Sequence, residues 1–343
     1  MSRSAKASTY WLRFDDEASA CPACASSRIV LLDEFRIPKD ARRRSVRLIS
    51  GCRDCGLLFS NPQPRSEQVT AFYGEGGEWA ARHAERLRWL EAKARRSPSG
   101  KKRQKARGKR DVLFDAIAPY APVHTPPPGA SVLDFGCGDG KMLDWLQRRG
   151  WETYGIEPSM DVAFIRHRRL SSLPQDQRFG LVILNHVLEH IADPLGLLNQ
   201  IAGVLRDDGA LFVSVPGLDA LPEHRDLRYC VNGNNHPLCF SETCLRGLLA
   251  RAGLAVTTRL DSPELDDAFT NGRPLRLRLL AARTAPPPVL PDKPLAPAIR
   301  ALALHAWQQG GFRERARRLL PIRLRAALTG RSRARKTAPE RFH

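Results

Sequence analysis

Long hydrophobic runs are missing from this sequence. None of its 343 residues lie in a segment that approaches the ~18 consecutive apolar residues of a membrane-spanning helix. The N-terminus also lacks the apolar core of a secretion signal, because charged side chains such as Arg13, Asp15 and Glu17 interrupt it. These absences predict a cytoplasmic protein, in which thiols stay reduced and closely spaced cysteines indicate a metal site rather than disulfides.

Acidic residues are also scarce, 36 against 55 lysines and arginines, which gives a formal net charge of +19. The excess lies in two stretches: residues 81–110 carry 13 basic and 2 acidic side chains, and residues 286–343 carry 13 and 3. Such runs are commonly solvated segments, but they also bind polyanions. Nucleic acid therefore stays open as a partner, as does an anionic membrane surface on which the protein would be peripheral.

Four of the eight cysteines form two Cys-x-x-Cys pairs, Cys21 with Cys24 and Cys52 with Cys55. The 27 residues between the pairs have room for the strands of a zinc ribbon. Four thiolates close a tetrahedral Zn²⁺ site, so we expect structural Zn²⁺, with a redox dithiol as the alternative. Loss of this zinc is expected to unfold the N-terminal part and to leave ligand binding elsewhere largely intact.

Residues 131–140, Ser-Val-Leu-Asp-Phe-Gly-Cys-Gly-Asp-Gly, predict a buried strand followed by a tight turn and then a helix. Asp134 ends the apolar run, and three glycines that permit close backbone approach follow it: Gly136, Gly138 and Gly140. An α/β sheet binds nucleotide-like ligands in this arrangement, at the carboxyl ends of its strands. Glu157 ends the next apolar stretch, where a carboxylate can accept both hydroxyls of a ribose.

This string resembles motif I of the class I S-adenosylmethionine-dependent methyltransferases. Residues 179–190, which end in Val-Leu-Glu-His, are similar to the fourth-strand signature of that family, and residues 236–241 resemble its His-x-x-x-Phe-Ser segment. Residues 52–64 are similar to the zinc-knuckle lead-in of bacterial methyltransferases of the domain-23 type, a group associated with sugars, polysaccharides and secondary metabolites.

The resemblance implies an α/β fold, a Rossmann-like seven-stranded methyltransferase sheet whose last strand is antiparallel, with a small N-terminal zinc-ribbon domain. Its implied cofactor is S-adenosylmethionine, held by Asp134, Gly136, Gly138, Gly140, Glu157 and Asn185. The expected divisions are a zinc-ribbon-like domain at 1–75, a basic helical linker at 76–128, the S-adenosylmethionine-binding methyltransferase domain at 129–283 and a basic tail at 284–343. One departure is that only 21 residues separate Glu157 from Phe179, too few for the usual helix and third strand together.

Methyl transfer from a sulfonium requires positioning and removal of a proton from the acceptor. We expect His236 to be the general base and His190 to be the second choice, because a neutral imidazole can accept a hydroxyl proton. The predicted acceptor is a small molecule or saccharide, methylated at oxygen. Two alternatives stay open: an RNA methyltransferase that grips nucleic acid with its zinc ribbon and basic segments, and a non-enzymatic scaffold with a degenerate site.

Overall fold

The computed structural model describes residues 19–37, 45–64, 66–74, 76–77, 109–157, 173–218, 236–261, 264–265 and 276–283, with residues 79–81, 84, 85, 88 and 299. The two strongly basic stretches lie almost entirely outside these residues, so the structure does not address the prediction that they bind nucleic acid or an anionic membrane surface. None of the helices in the described part is long and apolar enough to cross a membrane.

A small antiparallel sheet contains the cysteine pairs. Its strands are β1 (Ile29–Ile37), β2 (Ser45–Cys52), β3 (Leu58–Asn61) and, much later in the chain, β8 (Leu238–Cys239), in the order β1-β2-β3-β8. Helix α1 (Ser66–Tyr73) follows β3. The backbone N–H of Ser60 donates to the carbonyl oxygen of Pro237 at 2.8 Å and extends the β3–β8 pairing. The sheet is therefore completed by a strand from the distant second half of the chain.

The larger sheet has the strand order β5-β4-β6-β7-β10-β9. Its strands are β4 (Ser131–Phe135), β5 (Glu152–Ile156), β6 (Phe179–Asn185), β7 (Leu205–Pro216), β9 (Leu254–Arg259) and β10 (Arg276–Arg283). The first four are parallel, and β10 runs antiparallel to both of its neighbours. This confirms the expected α/β sheet and its antiparallel last strand. The expected strand after Glu157 falls in segment 158–172, outside the described residues.

Helices cover both faces of the larger sheet. They are α2 (Lys109–Ile117), α3 (Lys141–Gln147), α4 (Pro194–Val204) and α5 (Glu242–Arg251). Asp193 begins α4 by accepting a hydrogen bond from the N–H of Gly196, and Ser241 begins α5 in the same way. Successive β4 residues point to opposite faces, so Val132 and Leu133 belong to two separate hydrophobic clusters.

The cysteine-bearing sheet shares a hydrophobic core with the larger sheet. Buried Leu57 and Phe59 belong to the same cluster as Phe240, Leu245 and Leu133. Because β8 lies in the small sheet and immediately follows His236 and Pro237, a disturbance of the small sheet reaches the chain that carries a candidate base. The expectation that zinc loss would leave ligand binding intact stays a prediction.

Candidate active site

The turn between β4 and α3 uses a backbone conformation that favours glycine. The φ angles are 78°, 56° and 69° at Gly136, Gly138 and Gly140 respectively. The N–H of Gly136 donates to the carbonyl oxygen of Ile156 at 2.7 Å, which ties the turn to the end of β5. A Cβ on Gly136 would lie 2.6 Å from Cγ2 of Val187, so both the φ angle and the available space require glycine there.

Two buried carboxylates lie at this edge of the larger sheet. Glu157, which is 5% exposed, follows β5, and its Oε2 accepts a hydrogen bond of 3.0 Å from the N–H of Gly138. Asp134, which is 4% exposed, lies in the adjacent strand β4. Burial, followed by the negative charge of Glu157, raises the pKa of Asp134 to about 7. Buried negative charge of this kind favours a cationic ligand.

The chain leaves β6 through Asn185 and His186. Asn185 pairs with Ser214 of β7, and the N–H of His186 donates to the carbonyl oxygen of Ser214 at 2.8 Å. His186 has a φ of 59°, a left-handed conformation that turns the chain into a short 3₁₀ helix, Leu188–His190. Val187 precedes that helix and packs against Gly136, so the segment after β6 lies directly on the glycine turn.

Glu189 is the most buried charged group of this segment, at 1% exposure. Its Oε1 lies 2.9 Å from Nδ1 of His186 and 3.9 Å from Nε2 of His190. Burial alone would raise the pKa of Glu189, but the hydrogen bond to His186 and the charges of His190, His186 and His236 outweigh it and lower the pKa to about 2. Glu189 is therefore ionised at neutral pH. Among the described residues, its Oε2 has no hydrogen-bond partner.

The structure brings the two expected bases together. The ring centroids of His190 and His236 are 4.9 Å apart with the planes at 66°, an edge-to-face contact. Nδ1 of His190 lies 2.9 Å from the hydroxyl oxygen of Tyr73, the last residue of α1. Glu189, His190 and His236 each offer one ligand atom, and these atoms lie within 4.8 Å of one another. A carboxylate between two imidazoles is suited to holding a proton or a cation.

The four expected cysteines also meet. Sγ of Cys21 lies 3.6 Å from Sγ of Cys55, and Sγ of Cys24 lies 3.6 Å from Sγ of Cys52. All four sulfur atoms lie within 4.8 Å of one another. Cys21 donates hydrogen bonds to the sulfur atoms of Cys52 and Cys55, which together with burial raises the pKa of Cys21, whereas accepting from Cys21 lowers the pKa of Cys52. The cluster can therefore hold a first thiolate easily and further thiolates only with a compensating positive charge.

The sequence does not predict the contacts of Tyr73 and Cys244 or the burial of Glu189. Tyr73 is 117 residues from His190, and no local pattern marks it. Cys244 has no partner at metal-binding spacing, yet its thiol hydrogen-bonds to Cys55. Glu189 lies within the Val-Leu-Glu-His signature, but its complete burial depends on the packing of the segment after β6.

Part of this chain is similar to known proteins. Residues 102–259 match the family described as methyltransferase domain. The ubiquinone biosynthesis O-methyltransferase of Xanthomonas campestris pv. campestris is 31% identical over 103 residues, 25% of this chain and 43% of that protein. An uncharacterized 37.1 kDa protein in transposon TN4556 of Streptomyces fradiae is 29% identical over 133 residues, 34% of this chain and 36% of that protein. The match thus spans less than half of each of these two relatives.

Among solved structures, the 1,6-didemethyltoxoflavin-N1-methyltransferase of Burkholderia thailandensis is 17% identical, with a TM-score of 0.42 over 73% of this chain and 99% of that one. Together with the sheet order, the family match confirms the expected Rossmann-like fold. Residues 102–259 of this chain are thus similar to a methyltransferase domain, and they contain most of the larger sheet.

We expect Gly136→Ala to lower the free energy of unfolding by about 1–3 kcal/mol, because the new methyl group overlaps Val187 and the residue must keep a positive φ. Gly129→Ala is the matched control, since Gly129 has a φ of 73° and nothing lies within 4 Å of an added Cβ. The measurement is urea unfolding of both variants. Equal losses would contradict a tight contact between the glycine turn and the segment after β6.

Proposed function

We propose that this protein is an S-adenosylmethionine-dependent methyltransferase that methylates an oxygen of a small molecule or saccharide. The observation that carries the proposal is the hydrogen bond from the N–H of Gly138 to Glu157, next to buried Asp134. It joins a glycine-rich turn to a carboxylate suited to ribose hydroxyls. The cofactor carries a positive sulfonium and an ammonium group, which suit the buried negative charge of this edge.

The proposed cofactor set is the one that the sequence indicates. Glu157 accepts the ribose hydroxyls, Asp134 supplies negative charge, and the glycine turn allows close approach to the backbone. Asn185, the last residue of β6, lies on the same edge and borders the acceptor side. This set is Asp134, Gly136, Gly138, Gly140, Glu157 and Asn185.

Bound S-adenosylmethionine supplies an electrophilic methyl group, and the acceptor side must remove a proton. The methyl group would pass to the acceptor oxygen, and the cofactor would leave as a neutral thioether that keeps the electron pair of the former carbon–sulfur bond. We assign the departing acceptor proton to His236, with His190 as the second candidate. Ionised Glu189 lies beside both rings and favours an imidazolium once it forms.

The names of the relatives support the proposed class of acceptor. Several are named ubiquinone biosynthesis O-methyltransferases, which supports a small molecule and transfer to oxygen. RNA methylation is the alternative, supported by the charge of residues 81–110 and 286–343, which an RNA backbone would neutralise.

We expect Glu157→Ala to weaken S-adenosylmethionine binding by about tenfold or more, because a charged hydrogen-bond acceptor is lost from a buried site. Glu152→Ala is the matched control: Glu152 is an exposed residue of the same strand and accepts a hydrogen bond from the Tyr154 hydroxyl. Isothermal titration calorimetry gives both dissociation constants. Equal constants for the two variants, or no binding by the unaltered protein, would contradict the proposal.

Transfer of a labelled methyl group to separated polysaccharide, lipid, small-molecule and RNA fractions of a cell extract identifies the acceptor class. We expect label in a small-molecule or polysaccharide fraction and a loss of about 10²-fold in turnover with His236→Gln, as for removal of a general base. Label confined to RNA would overturn the proposed acceptor. If turnover of the His236→Gln variant stays within a few-fold of that of the unaltered protein, the general base is another residue.

We also propose that the cysteine cluster holds one structural Zn²⁺. A tetrahedral site with Zn–S bonds of about 2.3 Å separates its sulfur atoms by roughly 3.8 Å, close to the 3.6 Å of the two closest pairs. Those separations are far longer than the ~2.05 Å of a disulfide bond. The positive ion would also stabilise a thiolate at Cys21, where hydrogen bonds to Cys52 and Cys55 and burial raise the pKa.

Metal analysis of the purified protein is expected to find one zinc per chain. The double variant Cys24→Ser, Cys52→Ser should lose it, whereas Cys137→Ser, a buried cysteine of the glycine turn, should keep it. Because β3 pairs with β8, we expect zinc removal to lower the melting temperature of the methyltransferase domain as well. Zinc retained by the double variant would refute the site.

A further inference from the structure

The end of helix α1 reaches the acceptor side of the methyltransferase domain. Tyr73 packs its ring 5.3 Å from that of His190, and its hydroxyl lies 2.9 Å from Nδ1 of the same histidine. Phe72 and Trp79 lie against other sides of the tyrosine, with ring centroids at 4.8 and 5.8 Å. The phenol is therefore held in an aromatic layer, and its hydroxyl is directed at one nitrogen of one candidate base.

The surroundings of His190 decide which of its nitrogens carries the proton. Its Nε2 lies 3.9 Å from Oε1 of ionised Glu189, whereas its Nδ1 meets the hydroxyl of Tyr73. A neutral imidazole has a single N–H, and the nearby carboxylate attracts that N–H to Nε2. Nδ1 is then an acceptor, and the tyrosine hydroxyl is its donor.

We propose that Tyr73 is a positioning residue of the acceptor side, whose hydroxyl donates to Nδ1 of His190 and holds that ring in its Nε2–H form against His236. The role in methyl transfer rests on the proposed function; the hydrogen bond and the tautomer do not.

Two consequences follow for the chemistry. Both nitrogens of His190 are engaged, one by Tyr73 and the other by the field of Glu189, so His190 orients its neighbour and the acceptor proton goes to His236. In addition, strand β3 positions both Tyr73 and His236. Tyr73 ends helix α1, which follows β3 in sequence, and His236 precedes strand β8, which pairs with β3. The cysteine-bearing sheet is then part of the catalytic apparatus rather than a separate binding module.

The tautomer is measurable in the full chain without cofactor or acceptor. Histidine labelled with ¹⁵N gives a distinct pattern of two-bond correlations for each tautomer, and His190→Gln assigns the signals of His190. We expect the Nε2–H pattern in the unaltered protein and a larger share of the Nδ1–H form in Tyr73→Phe, because Glu189 still attracts the proton to Nε2 but no hydroxyl donates to Nδ1. Tyr120→Phe is the matched control: Tyr120 is 53% exposed, and its hydroxyl accepts a hydrogen bond from Thr258. An Nδ1–H pattern in the unaltered protein, or a Tyr73→Phe pattern identical to it, would overturn the proposal.

A reciprocal measurement does not depend on the stability of Tyr73→Phe. Biosynthetic 3-fluorotyrosine labels all five tyrosines, and selective loss of one signal assigns Tyr73. We expect His190→Gln to shift the ¹⁹F signal of Tyr73 and leave that of Tyr120 in place. An unmoved Tyr73 signal would contradict the hydrogen bond. Because neither measurement uses S-adenosylmethionine, failure to bind that cofactor would refute the proposed function without changing these results.

Discussion

Two carboxylates are buried beside each other where strands β4 and β5 end, and much of the site depends on how the chain accommodates them. The N–H of Gly138 donates a hydrogen bond to the carboxylate of Glu157. Burial and the negative charge of Glu157 both raise the pKa of Asp134. The unliganded site therefore holds negative charge at a cost in free energy that a cation would offset. This electrostatic strain links the glycine turn, the sheet edge and the proposed cofactor.

The acceptor side depends on a different constraint, the pairing of β3 with β8. That pairing joins the cysteine-bearing sheet to the segment containing His236, and α1 extends from the same strand to place Tyr73 on His190. The shared core around Phe59 and Phe240 makes the arrangement a packed one rather than a contact between separate domains. A metal that orders the cysteines would therefore also order Tyr73 and His236, although the metal itself would not contact the acceptor.

The features that could be predicted from the sequence are those set by local spacing. Glycines after a buried strand and a carboxylate after the next strand meet because parallel neighbours end at the same edge, and Asp134 and Glu157 do so. The two Cys-x-x-Cys pairs can share one tetrahedral metal ion, so their spacing predicts that the four sulfur atoms lie close together. Tyr73, Cys244 and the burial of Glu189 could not be predicted, because each depends on tertiary packing between segments far apart in the chain. The β3–β8 pairing could not be predicted either, because a strand of two residues is too short to show an alternating hydrophobic pattern.

The most direct test of the carboxylate pair is the number of protons exchanged when S-adenosylmethionine binds. Calorimetry at pH 7 in two buffers with different heats of ionisation measures that number. Asp134, with a pKa of about 7, is roughly half protonated before binding, and a cationic ligand lowers that pKa. The account predicts release of roughly half a proton by the unaltered protein and none by Asp134→Asn. Absence of binding, or binding by the unaltered protein without proton release, would contradict it.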